Sequence, residues 1–225
     1  MKKNLVVLTG AGISADSGIQ TFRDAGGLWE GHDIYEVASP QGWQRNPETV
    51  LDFYNQRRKK LLTCVPNAAH HGLVTLEEKY EVSIITQNVD DLHERAGSKH
   101  ILHLHGELLK SRSCNNPNLI YNCTNDIHIG DLAEDGAQLR PHIVWFGENV
   151  TEIGNAIAIS KKADIFVVIG TSLQVNPAAS LIQYTDYSIP KYIIDPQHLD
   201  FSYPSHVIFI QKSATEGINE LLTLL

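Results

Sequence analysis

The stretch Leu5-Val6-Val7-Leu8-Thr9-Gly10-Ala11-Gly12-Ile13-Ser14-Ala15 decides the fold. Four aliphatic residues running into a glycine turn read as a short buried strand. Gly10-x-Gly12-x-x-Ala15 then has the G-x-G-x-x-G/A spacing of a dinucleotide-binding turn. Gly10 permits the tight turn, Gly12 lets a pyrophosphate approach the backbone, and Ala15 allows close helix–strand packing. Ser14 reads as the cap of a helix whose free N–H groups would face an anion. An ordinary glycine turn satisfies the same spacing, so the pattern alone leaves both readings open. Its place directly after a strand favours the dinucleotide. The continuation departs from a dehydrogenase: Gly26-Gly27 interrupts it, and Glu30 and Asp33 follow no strand that could deliver them to a ribose. Some reaction other than routine hydride transfer is expected.

Outward from this turn, apolar runs recur and each ends in a polar cluster. Val82-Ser83-Ile84-Ile85 delivers Gln87-Asn88-Val89-Asp90, and Ile101-Leu102-His103-Leu104 delivers His105-Gly106. Ile165-Phe166-Val167-Val168-Ile169 delivers Gly170-Thr171-Ser172, and Tyr192-Ile193-Ile194 delivers Asp195. Val207-Ile208-Phe209-Ile210 is the last strand, followed by a helix from about Ala214. Helical segments at 48–63, 66–80, 151–162 and from Val175-Asn176-Pro177 to Tyr187 alternate with them. The fold class is therefore α/β, a doubly wound, parallel, Rossmann-like sheet with a smaller inserted helical and loop domain. Residues 1–30, 78–106 and 139–225 are assigned to the Rossmann-like domain, and 31–77 with 107–138 to the small one. Ligands of such sheets gather at the carboxyl edge of the strands. Alternation puts His103 and His105 on one face there, and an imidazole suits general-base work.

The totals set bounds. A chain of 225 residues can bury a full core. The net charge of −8 is spread rather than blocked, which argues against nucleic acid as a partner and suits lysine-rich substrates. No apolar run is long enough to span a membrane. Lys2-Lys3 before Leu5–Leu8 is too short a pattern for a signal peptide, so no targeting segment is read and a cytoplasmic protein is expected. Three cysteines, Cys64, Cys114 and Cys123, form no disulfide framework and fit a reducing compartment.

The run Gly10-Ala11-Gly12-Ile13-Ser14-Ala15-Asp16-Ser17-Gly18-Ile19-Gln20-Thr21-Phe22-Arg23 resembles the signature of the sirtuins, the NAD-consuming protein-lysine deacylases. The likeness extends over nearly the whole chain through Gln87-Asn88-x-Asp90, His105-Gly106, Val144-Trp145-Phe146-Gly147 and Gly170-Thr171-Ser172. It implies NAD as cofactor, bound by Gly10, Ala11, Gly12, Ala15, Thr21, Phe22, Arg23, Trp29, Gln87, Asn88, Asp90, Gly170, Thr171, Ser172, Asp195 and Ala214. Asp195 stands where the family usually carries asparagine; it can accept from a ribose hydroxyl but cannot donate. The resemblance makes His105, not His103, the base, with Asn88 and Asp90 completing the catalytic group. By the same likeness Val144, Trp145, Phe146 and Gly147 line the substrate, the peptide adding as a strand along them. The products implied are free lysine, nicotinamide and O-acyl-ADP-ribose.

Two features refine that expectation. Tyr54 and Arg57, three apart on one helical face, resemble the subgroup that prefers succinyl or malonyl groups, where a guanidinium and a phenol meet a carboxylate. Read without the family, they are a half-buried tyrosine beside a solvated arginine. The zinc-binding pairs of Cys-x-x-Cys are missing: Cys114 and Cys123 are eight residues apart and no second pair follows. A metal-free module is expected at 107–138, with zinc unexpected and partial disorder compatible with its polarity. Partners would be acylated lysine-containing proteins or peptides, with no nucleic acid and no membrane; the oligomeric state is left open, with a monomer the favoured reading. Plain deacetylation, protein ADP-ribosyl transfer and a non-catalytic NAD sensor are the alternatives.

Overall fold

In the computed structural model, which describes residues 2–20, 28–29, 32–198 and 207–225, the first apolar run is strand β1 (Asn4–Thr9), buried from Leu5 onward. The glycine turn after it does not open a long helix. It winds into two 3-10 turns, Ala11–Ile13 and Ala15–Ser17, and Ser14 between them makes no capping bond. Two-residue strands β2 (Leu28–Trp29) and β3 (His32–Asp33) pair antiparallel. Helices α1 (Ile34–Val37), α2 (Pro40–Arg45) and α3 (Pro47–Thr63) follow, started by the side-chain caps Asp33, Ser39 and Asn46, with proline in the first turn of α2 and α3. A capping box between Asn67 and His70 opens α4 (Ala68–Leu76).

Next come β4 (Glu81–Thr86), α5 (Leu92–Ala96) and β5 (Ile101–His103), with Gly97 closing α5 in left-handed backbone. Strands β6 (Gly106–Ser113), β7 (Ile120–Asn122) and β8 (Leu139–Ile143) form a separate antiparallel sheet in the order β7-β6-β8. The chain returns through α6 (Ile153–Ser160), β9 (Ile165–Ile169), β10 (Lys191–Ile194), β11 (Val207–Ile210) and α7 (Ala214–Leu224). Between β9 and β10 the expected helix is a 3-10 segment, Ala178–Tyr184.

The main sheet has the order β11-β10-β9-β1-β4-β5 and every neighbouring pair is parallel. Counted along the chain, this is the doubly wound order whose direction of winding reverses at the first strand. The crevice at that reversal lies between the carboxyl ends of β1 and β9.

Period-two alternation in the strands builds two cores. Leu5, Val7, Ile84, Val167 and Ile194 point to one face and pack with Leu73 and Leu76 of α4 and Ile218 and Leu221 of α7. Val6, Leu8, Ile85, Phe166 and Val168 point to the other, against Ala156 of α6 and Leu181. Each such side chain contributes roughly 1.5–3 kcal/mol by leaving water, so the sheet is anchored from both sides. A third cluster joins Val50, Phe53, Tyr54 and Leu61 of α3 to Leu108 of β6, Ile143 of β8 and Trp145. The polar stretch after His105 is thus an ordered antiparallel sheet packed on α3. Its polarity is partly internal, because Ser111, Ser113 and Arg140 are buried within it.

Candidate active site

The carboxyl ends of β1, β4, β9 and β10, together with α3 and the segment after β8, enclose a cleft of about 1370 Å³. The two glycine turns meet at its floor. Gly10 N–H donates to the Ile169 carbonyl at 3.0 Å, and Gly12 N–H to the Gly170 carbonyl at 2.9 Å. A Cβ on Gly12 would stand 2.7 Å from the Gly170 Cα, and one on Gly170 would overlap the backbone of Gly12 and Ile13. Gly12 is therefore glycine here because a second protein loop presses against it, a reason that the sequence reading, with its pyrophosphate alone, does not contain. Ala11, Ala15, Thr171 and Ser172 line the same floor, and Asp195 and Ala214 line its far end beyond β10 and β11. Asp195 is 1 % exposed and accepts the Gln197 N–H at 2.9 Å. Thr21, Phe22 and Arg23 lie outside the described residues, as does the side chain of Trp29.

The polar cluster after β4 is tied together by Ser14. Asn88 Nδ2 donates to Ser14 Oγ at 3.1 Å, and Ser14 Oγ donates on to Asp90 Oδ2 at 3.0 Å. The Leu92 N–H donates to Asp90 Oδ1 at 3.1 Å. Ser14 is fully buried and 76 residues from Asp90 in sequence. It belongs to the site as a structural hub and was read only as a helix cap; nothing local in the sequence points to a partner so distant. Burial pushes the Asp90 carboxyl above its usual range, against the opposing pull of the Leu92 and Ser14 donors. Gln87 Nε2 donates across the crevice to Thr171 Oγ1 at 3.0 Å, coupling the ends of β4 and β9.

His103 and His105 both face this cluster, as alternation requires. His103 Nδ1 meets the Asn88 carbonyl at 3.0 Å and its Nε2 meets Glu94 Oε1 at 2.7 Å. Both partners accept only, an arrangement that favours the doubly protonated, cationic ring. Burial alone would lower the His103 pKa, but the Glu94 hydrogen bond and charge outweigh it and raise it. His105 Nδ1 donates to the Gln87 carbonyl at 3.0 Å, while Nε2 has no hydrogen-bond partner among the described residues. Burial lowers the His105 pKa, partly offset by the Gln87 carbonyl. His105 lines the cleft and His103 does not.

On the opposite side Tyr54 and Arg57 line the cleft from α3, both buried. The Arg57 guanidinium stands 5.5 Å from the Phe53 ring centroid. Trp145 Nε1 donates to the Tyr54 hydroxyl oxygen at 3.0 Å. Burial raises the Tyr54 pKa, with the Arg57 charge pulling the other way, so the phenol keeps its proton. Val144, Phe146 and Gly147 line the same edge, held by Val144 N–H on the His105 carbonyl and Phe146 N–H on the Ala38 carbonyl, each at 2.9 Å. Gln174, Val175 and Asn176 also line the cleft and were not singled out in the sequence, where they read as a loop leading to a helix.

Cys114 and Cys123 are free thiols. The β6–β7 pairing sets Cys123 beside Leu109, five positions from Cys114 along the strand path, roughly 16 Å at strand rise. Among the described residues no group of three or more His, Cys, Asp or Glu side chains is placed to hold a metal ion. No helix among them is long and apolar enough to cross a membrane.

The glycine-on-glycine floor, the polar edge of a doubly wound sheet and a cleft wide enough for an extended ligand fit a dinucleotide. Comparison with known proteins agrees. Residues 10–177 match the model of the Sir2 family. A protein of Helicobacter pylori (strain J99) named NAD-dependent protein deacylase is 58% identical over 220 residues, covering 98% of this chain and 94% of its own. One of the same name from Bacteroides thetaiotaomicron is 54% identical over 229 residues, covering 99% and 98%. A Sir2 homolog–NAD complex superposes with a TM-score of 0.87 at 38% identity, covering 99% of this chain and 89% of that one. The chain belongs to the Sir2 family.

Proposed function

We infer that the chain is an NAD-dependent protein deacylase, and we propose that it prefers acidic acyl groups, succinyl or malonyl, on lysine. When bound, NAD would supply what an amide bond lacks, a glycosidic bond to a pyridinium that departs as neutral nicotinamide. Gly10, Ala11, Gly12 and Ala15 with Gly170, Thr171 and Ser172 hold it, and Asp195 and Ala214 flank the adenosine end. Thr21, Phe22, Arg23 and Trp29 belong to the same binding set by family likeness. His105 is the general base at Nε2, kept neutral by burial and oriented by the Gln87 carbonyl. Asn88 and Asp90, with Gln87, orient the ribose and the attacking water. Val144 to Gly147 receive the substrate backbone, and residues 32–63 with the sheet of β6, β7 and β8 act as a small domain closing one side of the cleft, whereas α4, assigned to that domain by sequence, packs on the main sheet with α7. The working compartment is the cytoplasm, in keeping with three unpaired thiols.

One observation carries the acyl preference. The Tyr54 hydroxyl is fully buried at the cleft wall and accepts from Trp145, yet its own O–H has no acceptor among the described residues. A buried donor beside a guanidinium is complemented by an anionic acceptor, which a dicarboxylic acyl group brings and an acetyl does not. The test is turnover of matched succinyl-lysine and acetyl-lysine peptides with NAD by the wild type and Arg57→Ala. Succinyl removal is expected to dominate and to fall about 10- to 100-fold in the variant, more than acetyl removal does. Efficient acetyl removal with succinyl untouched assigns plain deacetylation instead.

A further inference from the structure

The phenol that meets the acyl group is itself oriented by another side chain. We propose that Trp145 is a positioning residue for acyl selection: its indole N–H occupies the Tyr54 oxygen as an acceptor and so turns the phenolic O–H toward the cleft. The proposal rests on the acidic-acyl reading above and adds the residue that enforces it.

A phenol offers one proton and two acceptor positions, and its O–H rotates to suit its neighbours. With Trp145 Nε1 at 3.0 Å pointing a proton at the oxygen, the orientation that aims the phenolic proton at the indole is blocked. The remaining orientation points away from Trp145, and Tyr54 is fully buried at the cleft wall, where no described residue accepts from it. Trp145 thereby converts an amphoteric hydroxyl into a donor, which attracts a carboxylate and gains little from a methyl group.

The indole can do this only if it is immobile, and three contacts hold it. The Arg140 guanidinium lies 3.2 Å from the Trp145 ring centroid. Glu148 accepts the Trp145 backbone N–H at 2.9 Å and forms a forked pair with Arg140 at 2.7 and 3.1 Å. Trp43 packs on the ring at 5.7 Å between centroids. The ring is 2 % exposed. Trp145 is thus held at its backbone and its ring, leaving the indole N–H at its edge to read Tyr54.

The experiment compares kcat/KM for succinyl-lysine and acetyl-lysine peptides in wild type, Trp145→Phe, Tyr54→Phe and the double variant. The succinyl-to-acetyl ratio is expected to fall about tenfold in Trp145→Phe, with the loss in KM, as one hydrogen bond to a charged group is misdirected. The double variant should show the ratio of Tyr54→Phe alone, since Trp145 acts through that hydroxyl. As a readout without change at Trp145, its indole N–H proton resonance should move when succinyl peptide binds and not when acetyl peptide binds, a difference Tyr54→Phe abolishes. A wild-type ratio in Trp145→Phe, or additive losses in the double variant, or an indole resonance indifferent to both peptides, overturns the proposal while leaving the acyl preference standing. A wild type without any succinyl preference overturns the reading beneath it.

Discussion

His103 and His105, two residues apart, hand their Nδ1 protons to successive carbonyls, Asn88 and Gln87, each at 3.0 Å, and differ only at Nε2. In His103 that atom is spent on Glu94; in His105 it faces the cleft. Glu94 raises the pKa of one ring, and burial lowers that of the other, the proposed base. The distinction is made by Glu94, nine residues away in sequence.

The His105 pKa is lowered by burial, so activity should persist below the ordinary imidazole range and fall only as pH drops through a value under about 6.5. A kcat/KM profile on acyl peptide measures this acid limb. His105→Ala should cost about 10²- to 10⁴-fold, whereas His103→Gln, which keeps a donor toward Asn88, should cost far less.

Ser14→Ala removes the hydroxyl that accepts from Asn88 and donates to Asp90. Asp90 would lose one of the two donors that oppose its burial, and stability should drop by roughly 1–3 kcal/mol in urea titrations. Turnover should fall by more than NAD affinity, because the glycine floor is untouched.

Much of this architecture is legible in the chain. Leu5–Leu8, Ile165–Ile169 and, with Ser83 inside it, Val82–Ile85 are largely apolar runs bounded by polar turns, the usual form of a buried parallel strand. The edge on which Gln87, His105 and Gly170 gather follows from the same runs. The antiparallel sheet of β6, β7 and β8 is less legible because its inward positions include Ser111, Ser113 and Arg140, whose burial depends on partners elsewhere. The helix expected after Pro177 is a 3-10 segment through Tyr184, a difference in winding that apolar spacing does not encode. Ser14, Glu94 and Glu148 act through contacts made only in the fold.

Gly170 has φ 64° and lies against Gly12 and Ile13. Gly170→Ala adds a left-handed backbone cost of about 1 kcal/mol to a steric overlap that only separation of the two turns relieves. Melting temperature and NAD affinity should therefore fall together. A variant that melts early yet binds NAD normally would show that the floor need not be closed.

His70 and His93 are fully buried, edge to face with 5.0 Å between centroids. Burial lowers His70 to about 4 and His93 well below its ordinary value. Both therefore bind protons more weakly folded than unfolded. Their contribution is complete above the unfolded pKa of about 6.5 and is lost as pH falls from there toward about 4. Urea unfolding at pH 7.5 and pH 5 should differ by roughly 2 kcal/mol from His70 alone, with His93 adding in the same direction. The difference should shrink in His93→Leu.

In the proposed reaction this cleft consumes NAD to free acylated lysine, with His105 as the base. The most direct measurement follows nicotinamide and deacylated peptide together by mass spectrometry, with succinyl-lysine peptide, with and without NAD, in wild type and His105→Ala. One nicotinamide released for each lysine freed, nothing without NAD, and lysine release down about 10²- to 10⁴-fold in the variant is the predicted result. Wild-type protein that binds NAD but releases neither product, or that frees lysine without NAD, would contradict it.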